Sequence, residues 1–508
     1  MSEIAATAPG VGGVGGVGVG GVGGGGSSSA PSGNRSFVAA LAVALAVRTV
    51  WIVIATRTPS GAFNDAAQYL RMAVDFSRGR LPTLVNGRPS AMYAPGYPML
   101  LVPVILVDRL FGLSVAMSAA IVNVVAGTVT VAGTAFLARR WVSPRARNPA
   151  AWLMALAPGH IFFTPTAHAE TVFAALILIG VLWVTRVVDR HVANDRPVTR
   201  NGAPDARDRR DLPAAGLTVF GLYVAFCSTV RGPGLVLIAA PAMTLVATGC
   251  ARPMVLRSTG FVLVGVIAGL LPWTIINGLH AHVWSPLSTQ NATVVCVGHH
   301  PLADGGFPLT DMPRQMAVDC YRYSVFDDET LQLAPEWWSY ARPDEARWYR
   351  ESSLRGVRWA MTDPISEIWL TKQKMVKAWT SEWDALPAGR NYTNFRWTGR
   401  ATGLLNGSAN GWLGLVEILA VLGLVLSRSC RRAVPVWGSA LLLTMALIVG
   451  LALPHYRHGA IPFLVILASG AIVTLRSAAE NRVTARRQSA RGQSPPGFAC
   501  SMAPVAGR

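Results

Sequence analysis

The sequence predicts an all-α polytopic membrane protein, and three observations carry that prediction. The chain is 51% hydrophobic and only 14% charged, against about 25% charged residues in soluble domains. Its apolar residues gather into runs of roughly 17–24, long enough to cross a bilayer as helices. Its basic residues fall mostly in the segments between those runs. The formal net charge of +19 therefore does not point to nucleic acid, for which no motif is present. Only Lys372, Lys374 and Lys377 among the 45 basic residues are lysines, a bias that reflects codon usage rather than chemistry.

Taken in order, residues 1–34 are low-complexity Gly/Val and Ser/Gly sequence that cannot pack a core, and read as a disordered tail. The tail is too long, and lacks the basic start, for a signal peptide. Spans follow near 36–56, 115–138, 150–168, 170–188, 213–230, 234–250, 257–277, 410–427, 434–453 and 459–475. The run from Tyr97 to Val107 is too short to cross before Asp108 and Arg109 intervene.

Positive charge decides the sidedness. If 97–112 does not cross, Arg139, Arg140, Arg145 and Arg147 share one side with the Arg-rich loop at 190–210, with Arg252, Arg257, Arg428, Arg431 and Arg432, and with the basic tail at 477–508. That side is the cytoplasm, so both termini are inside and the loops 57–114 and 278–409 are outside. The expected parts are the tail 1–34, a membrane module at 35–277 with the first exterior loop, the large exterior loop 278–409, the last helices at 410–476, and the basic cytoplasmic tail.

The large loop is too long for a connector and is expected to be an ordered subdomain. It carries nine of the sixteen Trp, from Trp284 to Trp397. Pro364–Trp379 reads as an interfacial helix with Asp363 as N-cap and Ile365, Trp369, Val376, Trp379 and Trp383 as its apolar stripe. Cys296 and Cys320 are the two cysteines of this loop and are placed to form a disulfide if it is exoplasmic. None of the six cysteines has metal-ligand spacing.

The polar stretch from Phe63 to Pro98 follows the first span, where polar residues are costly unless they serve a site. Asp65 opens an amphipathic segment there. Tyr69, Met72, Ala73 and Phe76 recur at helical spacing on one side, and Arg71, Asp75 and Arg78 on the other. An acid in that position is a candidate general base for a lipid-borne substrate, with helix capping as its competing role. Arg48, in the middle of the first span, must face protein and pair, for instance with an acid of the bundle.

These residues resemble a known family. D-A-A-Q-Y-L from Asp65, the Gly79–Pro82 turn, and P-S-A-M-Y-A-P-G-Y-P at Pro89–Pro98 are similar to the first exterior loop of GT-C glycosyltransferases. The likeness is to bacterial relatives of protein O-mannosyltransferases and lipid A aminoarabinose transferases. H-A-E-T-V-F at His168–Phe173, the segment Tyr349–Pro364 followed by Lys374, and P-H-Y-R-H-G-A-I-P-F at Pro454–Phe463 resemble later family segments in the same order. Together they span residues 36–476.

The resemblance implies a GT-C bundle of about 10–11 transmembrane helices in a bacterial plasma membrane. It implies a glycosyltransferase, hexosyl or pentosyl, that takes a monosaccharide from a polyprenyl-phosphate donor. The acceptor would be an exoplasmic glycan, lipid or protein. In this reading Asp65 is the general base and Glu170 orients a substrate, while His168 is structural. Arg231, Arg457, Lys374 and Lys372 are candidates for the lipid phosphate, and Tyr69, Tyr93 and Tyr97 for the sugar. Asn64-Asp65 offers one carboxylate where the family's motif has a pair, so a metal held by two acids is not supported. The sequons at Asn34, Asn291, Asn391 and Asn406 carry no meaning in a bacterium. Rival readings are a transporter or flippase of a lipid-linked glycan, and a non-catalytic envelope assembly partner. The lack of a visible inverted repeat and the unequal exterior loops argue against the first, and the second survives if Asp65 proves dispensable.

Overall fold

The computed structural model describes residues 30–56, 65–84, 87–194, 212–250, 252–306, 312–324, 344–380 and 399–490. Most of the tail at 1–34, Trp383, Asn391 and the end of the basic tail lie outside these residues. The described chain is all-helical apart from one β-bridge between Thr83 and Pro89.

Among the described residues six helices are long and apolar enough to cross a membrane: α1 (Ala30–Ala55), α4 (Val115–Trp141), α7 (Glu170–Asn194), α10 (Arg252–His280), α15 (Gly399–Leu426) and α18 (Ile461–Ala490). Four apolar segments are shorter: α3 (Gly96–Phe111), α8 (Ala214–Val230), the 3₁₀ segment Gly232–Ala239 running into α9 (Ala240–Ala247), and α17 (Val434–Ile448). The chain is a multi-pass membrane protein. Small residues let these helices approach closely. Gly221 of α8 lies against Gly265 of α10, where a Cβ on Gly221 would come within 2.2 Å of the Val262 carbonyl oxygen.

The expected continuous span at 150–168 is not formed. Its place is taken by α5 (Arg147–Ala155) and α6 (Pro158–Phe162), broken at Leu156-Ala157. Pro158 has no N–H to continue the helix and its ring restricts Ala157, which is extended. A helix end inside the bundle leaves carbonyls without partners. Arg48, fully buried in α1, supplies them. Its guanidinium donates to the carbonyls of Ala155 (3.2 Å) and Met154 (3.4 Å), and to Ala44 of its own helix (3.2 Å). The mid-span arginine thus pairs with a broken helix end rather than with an acid. Gly127 of α4 gives it room, since a Cβ there would sit 2.6 Å from Arg48 Nε.

Contacts along the bundle give each helix a direction. α1 and the α5–α6 pair rise together: Arg147 reaches Asn34, Trp152 donates to Ser36, and Phe162 meets Trp51. α4 and α7 both descend, with Asn123 on the carbonyls of Thr164 and Thr166 at one end and Arg140 on Asp189 at the other. Gly470 of α18 lies against Val142 and Cys430, the latter in α16 (Arg428–Arg432). The basic clusters after α4, in α16 and in the outer half of α18 therefore share one end of the bundle. The starts of α4 and α7 and the ends of α1 and α8 share the other.

α3 begins where Gly96 lies against Thr229 and Val230 at that second end. It stops at Gly112, whose left-handed φ of 67° lets its N–H close on the Asp108 carbonyl. α4 starts three residues later, with Val115 and Ala116 facing α2 (Asp65–Ser77). The chain thus enters and leaves α3 at the same end of the bundle.

The second loop contributes α11 (Gln290–Gly298), α12 (Arg314–Tyr321), α13 (Glu345–Thr362) and α14 (Pro364–Trp379). A disulfide joins Cys296 to Cys320, with Cα atoms 5.7 Å apart. The Cys320 carbonyl accepts from Trp348 Nε1 (2.8 Å) and Ser352 Oγ (3.2 Å). The described residues of this loop share a core with the first loop. Met72, Leu84, Met92 and Tyr93 of the first loop pack into the same cluster as Cys296, Met316 and Trp348. On α14, capped by Asp363, the residues Ile365, Trp369 and Val376 are exposed, whereas Trp379 turns inward against Leu447 and Ala452.

This arrangement is testable by cysteine labelling in a background without free cysteines. A cysteine at exposed Leu113, between α3 and α4, and one at exposed Arg432 are expected to react with an impermeant reagent from opposite sides. Labelling from the same side would contradict the directions assigned here.

Candidate active site

At the end of the bundle that carries α2, five separate segments bring polar side chains together. Asp65 stands in the first turn of α2, where a carboxylate is favoured by the helix dipole. Tyr93, on the first loop, donates its hydroxyl to Asp65 Oδ1 at 2.9 Å. Tyr69, one turn into α2, packs edge-on against both Tyr93 and Tyr97, each with centroids 5.5 Å away. Burial, and then the neighbouring Asp65 carboxylate, raise the Tyr69 phenol well above its ordinary pKa, so it stays protonated.

Glu170 begins α7 and is almost completely buried. It is paired with Arg231, which stands in extended backbone just past the end of α8. Arg231 is the more open member, with 19% of its side chain exposed against 3% for Glu170. The 3₁₀ turn Pro454–Gly459 dips into the bundle and completes the cluster. Its His455 Nε2 lies 3.5 Å from Glu170 Oε1, and its Tyr456 ring lies beneath the Arg231 guanidinium at 4.6 Å. Tyr69 meets Tyr97, whose neighbour Gly96 lies against Thr229 and Val230 beside Arg231, so the acid of α2 and the ion pair stand at the same end of the bundle. His168 is buried beside them, its ring edge-on to Phe163.

The remaining candidates are committed elsewhere. Arg457 is buried, donates to the Ala378 carbonyl and lies over the Trp379 ring at 5.8 Å. Lys374 is fully buried, with Nζ on the Ile448 carbonyl at 2.8 Å and 3.8 Å from Glu367. Burial pushes its amine down to about 8. Lys372 is exposed and lies over the Trp369 ring at 4.9 Å. These three cations fasten α14 to the bundle or face outward. Among the described residues no group of three His, Cys, Asp or Glu side chains gathers at metal-ligand spacing.

Sequence reasoning passed over Glu345. It opens α13 and is buried, yet it touches the first loop. Its Oε1 accepts from the Ala91 amide (3.0 Å) and Thr289 Oγ1 (2.6 Å), and Ser90 also donates to the carboxylate. The backbone adds Thr289 N–H to the Ala91 carbonyl (3.0 Å) and Gln290 N–H to that of Met92 (3.4 Å). Glu345 therefore fixes the segment two residues before Tyr93, which in turn meets Asp65. Position in a long polar loop gave no signal for this, because the contact spans 254 residues.

No family model and no curated protein matches this chain. Solved structures do resemble it. An apo oligosaccharyltransferase of Archaeoglobus fulgidus aligns at 13% identity and a TM-score of 0.44, over 90% of this chain and 52% of that one. The AglB oligosaccharyltransferase of the same organism, with an inhibitory peptide and a dolichol-phosphate, aligns at 10% identity and a TM-score of 0.45, over 91% and 52%. ArnT of Cupriavidus metallidurans, bound to undecaprenyl phosphate, aligns at 16% identity and a TM-score of 0.37, over 89% and 80%. The chain spans about half the length of the oligosaccharyltransferases it matches. At TM-scores below 0.5 the assignment of activity rests on the chain's own residues.

Burial raises the Glu345 carboxyl pKa. The folded protein then binds its proton more tightly than the unfolded chain, and stability falls as pH rises above the unfolded value near 4.3. Glu345→Gln keeps the acceptor oxygen without the charge, so its melting temperature is expected to gain on wild type as pH rises from about 4 to 7. Glu345→Ala orphans a buried amide and is expected to lose about 1–3 kcal/mol. Parallel melting curves for the two variants across that range check both signs.

Proposed function

We propose that this protein is a GT-C-type membrane glycosyltransferase that moves a monosaccharide from a polyprenyl-phosphate donor to an acceptor reached from the exoplasmic side. The observation that supports it is the gathering of Asp65, Tyr93 and Glu170, all from family-like segments, with Arg231 at one end of the bundle. The basic clusters lie at the opposite end, which by the positive-inside rule makes the site exoplasmic and the termini cytoplasmic in a bacterial plasma membrane.

In this reading Asp65 takes the proton of the acceptor hydroxyl as that oxygen attacks the anomeric carbon. Tyr93 holds one carboxylate oxygen, which directs the other to the acceptor. The new bond forms as the bond from the anomeric carbon to the phosphate oxygen breaks, and the lipid phosphate leaves with the electron pair. The anomeric centre inverts. Arg231 is the cation suited to that phosphate, because its fork binds oxygens bidentately. Glu170 and Tyr456 hold the guanidinium in place from behind. Tyr69, half-buried beside Asp65, offers its ring to a sugar.

Asp65→Asn tests the assignment. The variant keeps size and capping ability, so expression and melting should match wild type. Transfer from a purified polyprenyl-phosphate sugar should fall by about 10²–10⁴, while donor-lipid binding survives. A folded Asn variant with near-normal turnover would remove Asp65 as the base and leave the flippase or assembly reading to be tested by glycan translocation.

A further inference from the structure

The face of α2 that turns away from Asp65 lines a second space. Leu70, Arg71, Val74 and Arg78 recur at three- and four-residue spacing opposite Asp65, Tyr69 and Phe76. With Val115 and Ala116 of α4 they line an open cleft of about 510 Å³. Its floor is apolar, made by Leu70, Val74, Val115 and Ala116. Its rim carries three guanidiniums, Arg71, Arg78 and Arg80, against the single carboxylate of Asp75. Arg78 and Arg80 are exposed, and Arg71 leans on Thr83 at 3.5 Å.

Two further features have the same sign and setting. The first turn of α4, a helix of 27 residues, opens onto the cleft with its positive end. Ser114 Oγ accepts only the Met117 amide there. The chain next to the cleft is apolar and exposed: Leu81 is 43%, Phe111 72% and Leu113 45% accessible. A cationic rim beside exposed apolar side chains matches a molecule with an anionic head and an apolar tail.

We propose that the cleft between α2 and the first turn of α4 binds the phosphate head of an anionic lipid, at a site separate from Asp65. The arginines take the phosphate oxygens, and the chains lie along Phe111 and Leu113. Such a lipid would brace α2, the helix that carries the acid. The same head chemistry belongs to a bilayer phospholipid and to a polyprenyl phosphate, and the two are separable by experiment. The inference does not depend on sugar transfer.

The test uses the full-length protein in neutral detergent, titrated with phosphatidylglycerol, phosphatidylcholine and farnesyl phosphate and followed by native mass spectrometry. At least one of the two anionic lipids is expected to bind about tenfold or more tightly than phosphatidylcholine. The tighter of the two identifies the source. Arg78→Gln/Arg80→Gln alters only exposed side chains, so it should fold. It is expected to weaken that binding about tenfold, the loss of roughly one charged contact. Adding Arg71→Gln should weaken it further, and Arg71→Lys/Arg78→Lys/Arg80→Lys should restore part of it. Equal binding by wild type and the double variant would overturn the proposal, as would no preference for either anionic lipid.

Discussion

A buried ion pair, Glu170 with Arg231, sets the layout of the end of the bundle where the candidate site lies. Two charges removed from water cost several kcal/mol each unless they meet with good geometry and further partners. The chain provides these by starting α7 at Glu170, where the helix dipole favours an acid, and by ending α8 one residue before Arg231. The pair fastens one helix start to one helix end. It also draws in the Pro454–Gly459 turn, since His455 approaches Glu170 and Tyr456 lies beneath Arg231. Removing either charge would leave the other buried and unpaired, at about 3–5 kcal/mol. That cost explains how a polar cluster is held at the rim of an apolar bundle.

The two loops then close over this pair as one unit. They share a hydrophobic cluster around the Cys296–Cys320 bond and a short run of backbone hydrogen bonds between 91–92 and 289–290. Glu345 links them through a buried carboxylate. The geometry of Tyr93 on Asp65 therefore depends on a helix that follows it by some 250 residues. α2 separates two environments, with tyrosines and the acid on one side and arginines over an apolar floor on the other.

Much of this was legible in the sequence because it is local. Run length and hydropathy mark the long helices, period marks the two faces of α2, and Asp363-Pro364 marks the start of α14. What was not legible is tertiary. A continuous apolar run at 150–168 hides a break, because composition does not reveal that Arg48 waits across the bundle to take the freed carbonyls. That described residues of the long loop share a hydrophobic cluster with the first loop is likewise tertiary, and loop length does not reveal it. Lys374 and Arg457 read as phosphate ligands by position, yet each of them donates to a backbone carbonyl, Ile448 and Ala378 respectively. Side-chain type and motif position name candidates, but packing decides which of them joins the polar cluster with Glu170, and that cation is Arg231.

The central claim is that Asp65 and the Glu170–Arg231 pair act on one lipid-phosphate sugar. An experimental structure of the full chain with a short-chain polyprenyl phosphate, at a resolution that separates phosphate oxygens, tests it most directly. The account predicts a phosphate oxygen within about 3 Å of the Arg231 guanidinium, on the side of α2 that carries Asp65. A phosphate held instead by Arg457 or Lys374, away from Arg231, would contradict it.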